Sequence, residues 1–218
     1  MYPFLHHPTL SILPEGCVFL GGSSTLVVAD VHLGKSAAFR ARGLPVPEGD
    51  TERDLQRLAK LVRNYDVNHL VIAGDLFHAP AGITGELKTA LERFLDELEI
   101  TVTLVIGNHD SKISSLPTRL KCLPHMVLEN VRIVHDPADT HGGQLHISGH
   151  WHPVVKIPDG KRTWLRLPCF LFRDNTLVLP AFGSFTGGAV LSPAADDRIF
   201  AALRDQMVEI PLALWSGS

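Results

Sequence analysis

The stretch ITVTLVIGNHD, residues 100–110, sets a β-branched apolar run against a glycine and three unlike polar heads. Apolar residues fall on both parities of the run, the pattern of a strand covered on both faces. An amide, an imidazole and a carboxylate in a row at its end are costly to desolvate unless something binds them. The same arrangement recurs along the chain. TLVVAD (25–30) runs into Asp30-Val31-His32, and HLVIAGD (69–75) delivers Asp75 and then His78. VRIVHD (131–136) ends in His135-Asp136, and QLHISGH (144–150) leads into His150-Trp151-His152.

Helices fit between the early runs. In 51–63, Leu55, Leu58, Leu61 and Val62 follow three-and-four spacing, with Asp50 or Thr51 as the expected cap. In 85–98, Leu87, Leu91, Phe94, Leu95 and Leu98 do the same, with Thr84 as the cap. The first half therefore reads as a βαβ pattern. Beyond residue 130, TWLRLPCFLF and TLVLPAF read as strands around the RDN turn, and RIFAAL and MVEIPL as a second hairpin. Residues 198–206 also fit a helix.

The 218 residues fit one domain, 1–218, with 45% hydrophobic and 20% charged residues. No apolar run approaches the roughly 18 residues of a membrane span, and the N-terminus has no signal-peptide pattern, so the expected compartment is the cytoplasm. Cys17, Cys122 and Cys169 stand far apart and read as free core thiols. A net charge of −3 argues against a chain that binds nucleic acid by bulk electrostatics, so any such contact has to be local.

In open α/β sheets ligand sites form at the carboxyl ends of the strands. Asp30, His32, Asp75, Asn108, His135, His150 and His152 would meet there if the five strands were adjacent. Several carboxylates and imidazoles in one crevice need a cation. Seven donors exceed one tetrahedral ion and suit two ions sharing a carboxylate. Oxygen and nitrogen ligands without thiolate favour Mn, Fe, Zn or Co. Paired ions acidify bound water and stabilise charge growing on a phosphoryl group. His109 adjoins Asn108, and Asp110 is expected to hold its ring so that the imidazole donates to the phosphate or the leaving oxygen. Both enter the expected catalytic set, and Asn108, His109 and Arg166 the expected substrate contacts.

D-x-H at 30–32, G-D at 74–75, G-N-H-D at 107–110 and G-H-x-H at 149–152 resemble, in order, the signature of calcineurin-like metallophosphoesterases. ADVHLGK (29–35), GDLFH (74–78), HDP (135–137) and LPAFGSFTGG (179–188) further resemble the bacterial ligase-associated DNA damage response endonucleases. The resemblance implies a four-layer α/β/β/α sandwich with two mixed sheets and a dinuclear site. One ion would take Asp30, His32, Asp75 and His152, the other Asp75, Asn108, His135 and His150, with Asp75 bridging. It also implies a manganese-type phosphodiesterase acting on DNA in repair, beside a ligase and a helicase.

The chain departs from the wider family at His78, where an aspartate is common, and His78 is not expected to be a ligand. His135 follows valine where the family has glycine, which leaves His141 and His146 as rivals. His6, His7, His69 and His125 read as surface or core histidines, and Trp151 and Trp164 as packing residues. The glycine-rich 182–188 segment is either a phosphate cradle or a β-turn. Lys35, Arg40, Arg42, Lys161, Arg162 and Arg173 are further candidate phosphate contacts, most of them solvated. The competing functions are a phosphoesterase for nucleotides or other small molecules, and a non-catalytic metal-bearing binding protein.

Overall fold

The computed structural model describes residues 1–4, 7–160, 163–203 and 205–214. Its strands are β1 (Tyr2–Pro3), β2 (Leu10–Leu13), β3 (Cys17–Leu20), β4 (Thr25–Val28), β5 (His69–Ala73), β6 (Thr101–Val105), β7 (Leu120–Leu123), β8 (Met126–Leu128), β9 (Val131–Ile133), β10 (Leu145–Ser148), β11 (Pro153–Pro158), β12 (Trp164–Arg173), β13 (Thr176–Val178), β14 (Ala189–Val190), β15 (Arg198–Leu203) and β16 (Gln206–Ile210). The α-helices are α1 (Lys35–Ala41), α2 (Asp50–Asn64) and α3 (Gly85–Leu98).

Two mixed sheets stack face to face. The first runs β1 to β7 in chain order, antiparallel from β1 to β4 and parallel from β4 to β7. The second runs β14-β11-β12-β13-β10-β9-β8, with β15 and β16 added beside β12. Strand alternation sorts the core. Leu26, Val28, Leu70 and Ile72 face α2 and α3. Val27, Ala29, Val71 and Ala73 face Ile133, Ile147, Phe170 and Leu177 of the second sheet. The second sheet's outer face carries Val155, Leu171, Val178 and Ile199, covered by Trp151, Leu191 and Leu212. The two mixed sheets and the helices on the first sheet make the α/β sandwich of the calcineurin-like fold that the resemblance implied, with one correction: among the described residues the fourth layer is not α-helical but is formed by loop residues and the 3-10 turn Leu212–Leu214.

The helices predicted from spacing sit where expected, and they bury the leucines and valine named for them. Thr84 caps α3, accepting from the Leu87 N–H at 3.1 Å. The other expected cap is corrected. Asp50 and Thr51 lie inside α2, whose cap is Gly49, and their oxygens accept from the backbone of Ser36 and Gly34 at the start of α1. The first turn of α2 thus caps a neighbouring helix. The hairpins at 164–178 and 198–210 form as strands, the first closed by Asp174-Asn175, both with positive φ, as a two-residue turn requires.

The five ligand-bearing strands are not adjacent in one sheet. β4, β5 and β6 belong to the first sheet, β9 and β10 to the second. Their ends converge across the sandwich because the sheets close together at that edge. Gly74, at φ 84°, makes this contact possible: a Cβ there would overlap the His135 imidazole. Gly107 serves in the same way beside the Asp75 carboxylate. Gly74→Ala should therefore displace His135. The expected outcome is destabilisation of about 1–3 kcal/mol from the left-handed backbone alone, read by chemical denaturation, together with weaker metal binding by calorimetry.

Candidate metal centre

Each strand stops short of its polar residues. Asp30 and Asp75 lie two residues past β4 and β5, Asn108 three past β6, and His135 and His150 two past β9 and β10. Asp30, His32, Asp75, His150 and His152 all have positive φ, between 47° and 72°. Such backbone costs of order 1–3 kcal/mol per residue and persists only where the surroundings impose it. The turns lock against one another. His32 N–H donates to Asp75 O at 2.9 Å, and Asp30 N–H to Gly74 O at 3.1 Å. His150 N–H donates to Asp30 Oδ2 at 2.9 Å, tying the second sheet to the first.

The side chains form three linked groups, one of them His32, His78 and His109 beside the other two. Asp30, His32 and His152 offer one set of ligand atoms, and Asp75, His135 and His150 another. His152 Nε2 is 3.1 Å from Asp30 Oδ1 and 3.3 Å from His32 Nε2. His135 Nε2 is 3.0 Å from Asn108 Oδ1, 3.1 Å from His150 Nδ1 and 3.5 Å from Asp75 Oδ2. Asp75 Oδ2 is also 4.0 Å from His32 Nε2, so this carboxylate sits between the groups. All seven candidate ligands named from sequence are brought together.

The donor chemistry fits a cation. His135 Nδ1 lies 3.1 Å from Ala73 O and must carry the proton, because a carbonyl only accepts. Its Nε2 then faces the oxygens of Asn108 and Asp75. Asp30 Oδ1 is buried and takes no hydrogen bond. Burial, and then the neighbouring His152, push the His32 pKa down to about 2, so its imidazole is neutral. Buried lone pairs aimed at one another are the electronic opposite of a hydrogen-bond network, and divalent cations satisfy them.

His109 stands beside the centre, with Nε2 3.8 Å from Asp75 Oδ2 and its backbone N–H donating to Asp75 Oδ1 at 2.9 Å. The expectation that Asp110 orients its ring is corrected. His109 Nδ1 bonds the His78 carbonyl. Asp110 is buried beneath the loop and accepts from the N–H groups of Phe77 and Gly107, each at 3.0 Å. Burial raises its pKa to about 6. Asp110 therefore ties the β5 and β6 ends together. His78, discounted from sequence, stacks on His109 at 5.3 Å and stands edge-on to His32 at 5.5 Å. Burial, with the charge of Lys35 next, lowers its pKa to about 4.

Among the rivals to His135, His141 is exposed, and His146 is buried on the opposite side of β10 from the inter-sheet core. His7 bonds Glu129 O, His69 bonds Thr103, and His125 is exposed, while His6 lies outside the described residues. Arg40 pairs with Glu48 and Arg173 with Asp197, so both are structural braces. Lys35 is half-buried, with its pKa lowered by burial, and its charge acts on His32 and His78. Lys161 and Arg162 lie outside the described residues. Arg166 is exposed and donates to Gly188 O at 3.2 Å. Leu165 beside it is 43% exposed, so the first residues of β12 are open to solvent on that face.

The 182–188 segment is not a phosphate cradle as a whole. Phe182 and Gly183 N–H donate to Ala29 O and Asp30 O, and Ser184 N–H donates to Asp54 Oδ2 at 2.8 Å. Asp54 and Arg57 of α2 hold this strap, Arg57 through Phe182 O at 2.9 Å. The sequence reading missed Asp54. Its signal is a polar residue on the buried face of an amphipathic helix.

The calcineurin-like phosphoesterase family model matches residues 23–143. The crystal structure of Pseudomonas putida nuclease MPE is similar at 33% identity and a TM-score of 0.75, covering 88% of this chain and 92% of that one. The E. coli phosphoesterase Yfce aligns at 18% identity and a TM-score of 0.42, over 88% of this chain and 94% of that one. An archaeal phosphodiesterase aligns at 14% identity and a TM-score of 0.40, over 85% and 98%. A search of curated proteins returns no match. No helix among the described residues is long and apolar enough to cross a membrane. With more than half of its length matched by the model and a nuclease of the same fold at 33% identity, the chain belongs to the calcineurin-like phosphoesterases, a metal-dependent family of hydrolases.

Proposed function

We propose that this protein is a dinuclear-metal-dependent phosphodiesterase that cleaves DNA, as an endonuclease in DNA repair. One observation carries the two-metal part: the Asp75 carboxylate lies between two separate ligand groups. Asp30, His32, Asp75 and His152 would hold one cation, and Asp75, Asn108, His135 and His150 the other. When bound, such a pair supplies an acidified water and positive charge against the phosphoryl oxygens. Manganese is the ion we assign. It suits oxygen and imidazole ligands without thiolate, and the motif resemblance favours it. The DNA part is supported by the similarity to the Pseudomonas nuclease. A ligase and a helicase as partners, and a cytoplasmic location, belong to the same reading.

The chain's own residues supply positioning and proton transfer. The His78 carbonyl fixes His109 with its Nδ1 proton inward and Nε2 toward the centre. From there Nε2, when protonated, can donate to a phosphate oxygen or to the departing oxygen. Lys35, desolvated beside His32 and His78, adds positive charge on the same side. The second reading, a small-molecule phosphoesterase, is favoured by the net charge of −3. A purely binding role has no use for a histidine oriented beside a full ligand set.

Hydrolysis of bis-p-nitrophenyl phosphate and nicking of plasmid, each with added Mn²⁺, test the reading. Cleavage of phosphomonoesters alone would overturn it. Asp75→Asn should abolish both activities and lower the bound metal measured by elemental analysis. His109→Ala should lower kcat by roughly 10²–10⁴ while the metal content stays, and loss of metal in that variant would refute its assigned role.

A further inference from the structure

β11 begins at Pro153, directly after the candidate ligand His152, and runs out with β12 as a two-stranded arm. The register sorts its side chains. Val154 opposes Pro168, Lys156 opposes Arg166, and Pro158 opposes Trp164, all on one face. Val155, Ile157, Leu165 and Leu167 share the other face; the first two and Leu167 pack into the second sheet's outer cluster, and Leu165 is exposed. Phe170, on the same side of β12 as Arg166, is buried between the sheets. The Lys156–Arg166–Trp164 face is therefore the outward continuation of the inner face, leading away from the metal centre. It begins at a small cleft formed by His152, Val154, Pro168, Thr186 and Gly188.

This face has three features that packing does not explain. Two cations stand directly opposite each other, an arrangement that destabilises a strand pair. Neither has an acidic partner among the described residues; Arg166 reaches only Gly188 O, at 3.2 Å. Trp164 is 48% exposed, with the Lys156 ammonium over its ring in a cation–π contact at 4.8 Å, where core packing would have buried the indole. Like charges without acidic partners next to an exposed ring suit a polyanion with planar groups. Aromatic shelves with flanking cations hold single strands because an unpaired base can lie on the ring.

We propose that this face of the β11–β12 arm docks a single strand of nucleic acid, with phosphates on Lys156 and Arg166 and an unpaired base on Trp164, so that the strand enters the metal centre past His152. The proposal rests on the nucleic-acid reading above and adds the residues that select an unpaired strand.

The test is fluorescence anisotropy of a labelled single-stranded oligonucleotide and of its duplex, titrated with the full chain in EDTA at several salt concentrations. Lys156→Gln with Arg166→Gln should weaken single-strand binding. It should also reduce the slope of log affinity against log salt by about 1.4, at about 0.7 per lost phosphate contact. Trp164→Ala should weaken it roughly tenfold, within the range for one lost stacking contact, and leave the slope unchanged, while Trp164→Phe retains most of the affinity. In Mn²⁺ the ratio of oligonucleotide to bis-p-nitrophenyl phosphate cleavage should fall in parallel. Unchanged affinity and slope, or equal losses on the duplex, would overturn the docking proposal and leave the phosphodiesterase intact. A wild-type chain that hydrolyses the small diester yet neither binds nor cuts the oligonucleotide would overturn the nucleic-acid reading itself.

Discussion

The Asp75 carboxylate, facing three imidazoles from two sheets, is the constraint around which this molecule is arranged. Its Oδ2 lies 3.5 to 4.0 Å from the Nε2 atoms of His135, His109 and His32. His135 and His109 have their other nitrogen committed to a backbone carbonyl. The Nε2 atoms of both rings are therefore turned toward the same carboxylate oxygen. A hydrophobic core cannot hold such a cluster in place, because desolvated acceptors repel. The backbone does so, at the expense of left-handed conformations at Asp30, His32, Asp75, His150 and His152. Strain of that kind marks residues whose position matters more than their stability.

The scaffold answers with rigidity in the surrounding layer. The parallel strands β4, β5 and β6 are buried on both faces, so their ends cannot shift independently. Asp110 bridges the loops after β5 and β6 through two backbone N–H groups. The strap at 182–184 bonds the carbonyls of Ala29 and Asp30 and is itself anchored on Asp54 and Arg57. Groups that orient metal ligands without touching the metal commonly matter nearly as much as the ligands.

What was readable in the chain follows from how local each signal is. Each ligand cluster sits immediately behind an apolar run, so the strand end and its chemistry could be seen together. Helices α2 and α3 declared themselves by periodicity, because one face of each is fully apolar. The short strands β1 to β3 and helix α1 were not found. Their four or fewer strand residues, and seven helical ones, are too few to establish a period. The division of ligand strands between two sheets is a long-range fact that no local pattern encodes. Asp110 was misassigned for the same reason: adjacency to His109 suggested a side-chain partner, but the 3-10 turn that begins at Asp110 directs its carboxylate beneath the loop. The partner, the His78 carbonyl, is a backbone atom 31 residues away that no side-chain motif announces.

The apparent conflict between a net charge of −3 and a nucleic-acid substrate dissolves on two counts. The formal count omits the cations, and two divalent ions bound at the centre would reverse its sign. Charge also acts over a screening length of about 8 Å at physiological ionic strength, so a strand in contact with the protein responds to the charges beside it and not to the total. Some acids on this protein are paired with arginines: Asp54 with Arg57, Asp197 with Arg173, Glu209 with Arg198. Lys156 and Arg166 have no acidic partner among the described residues. A polyanion therefore meets uncompensated positive charge on the arm that grows from His152. A small phosphate ester gains nothing from that arm, so its presence weighs toward a substrate long enough to lie along it.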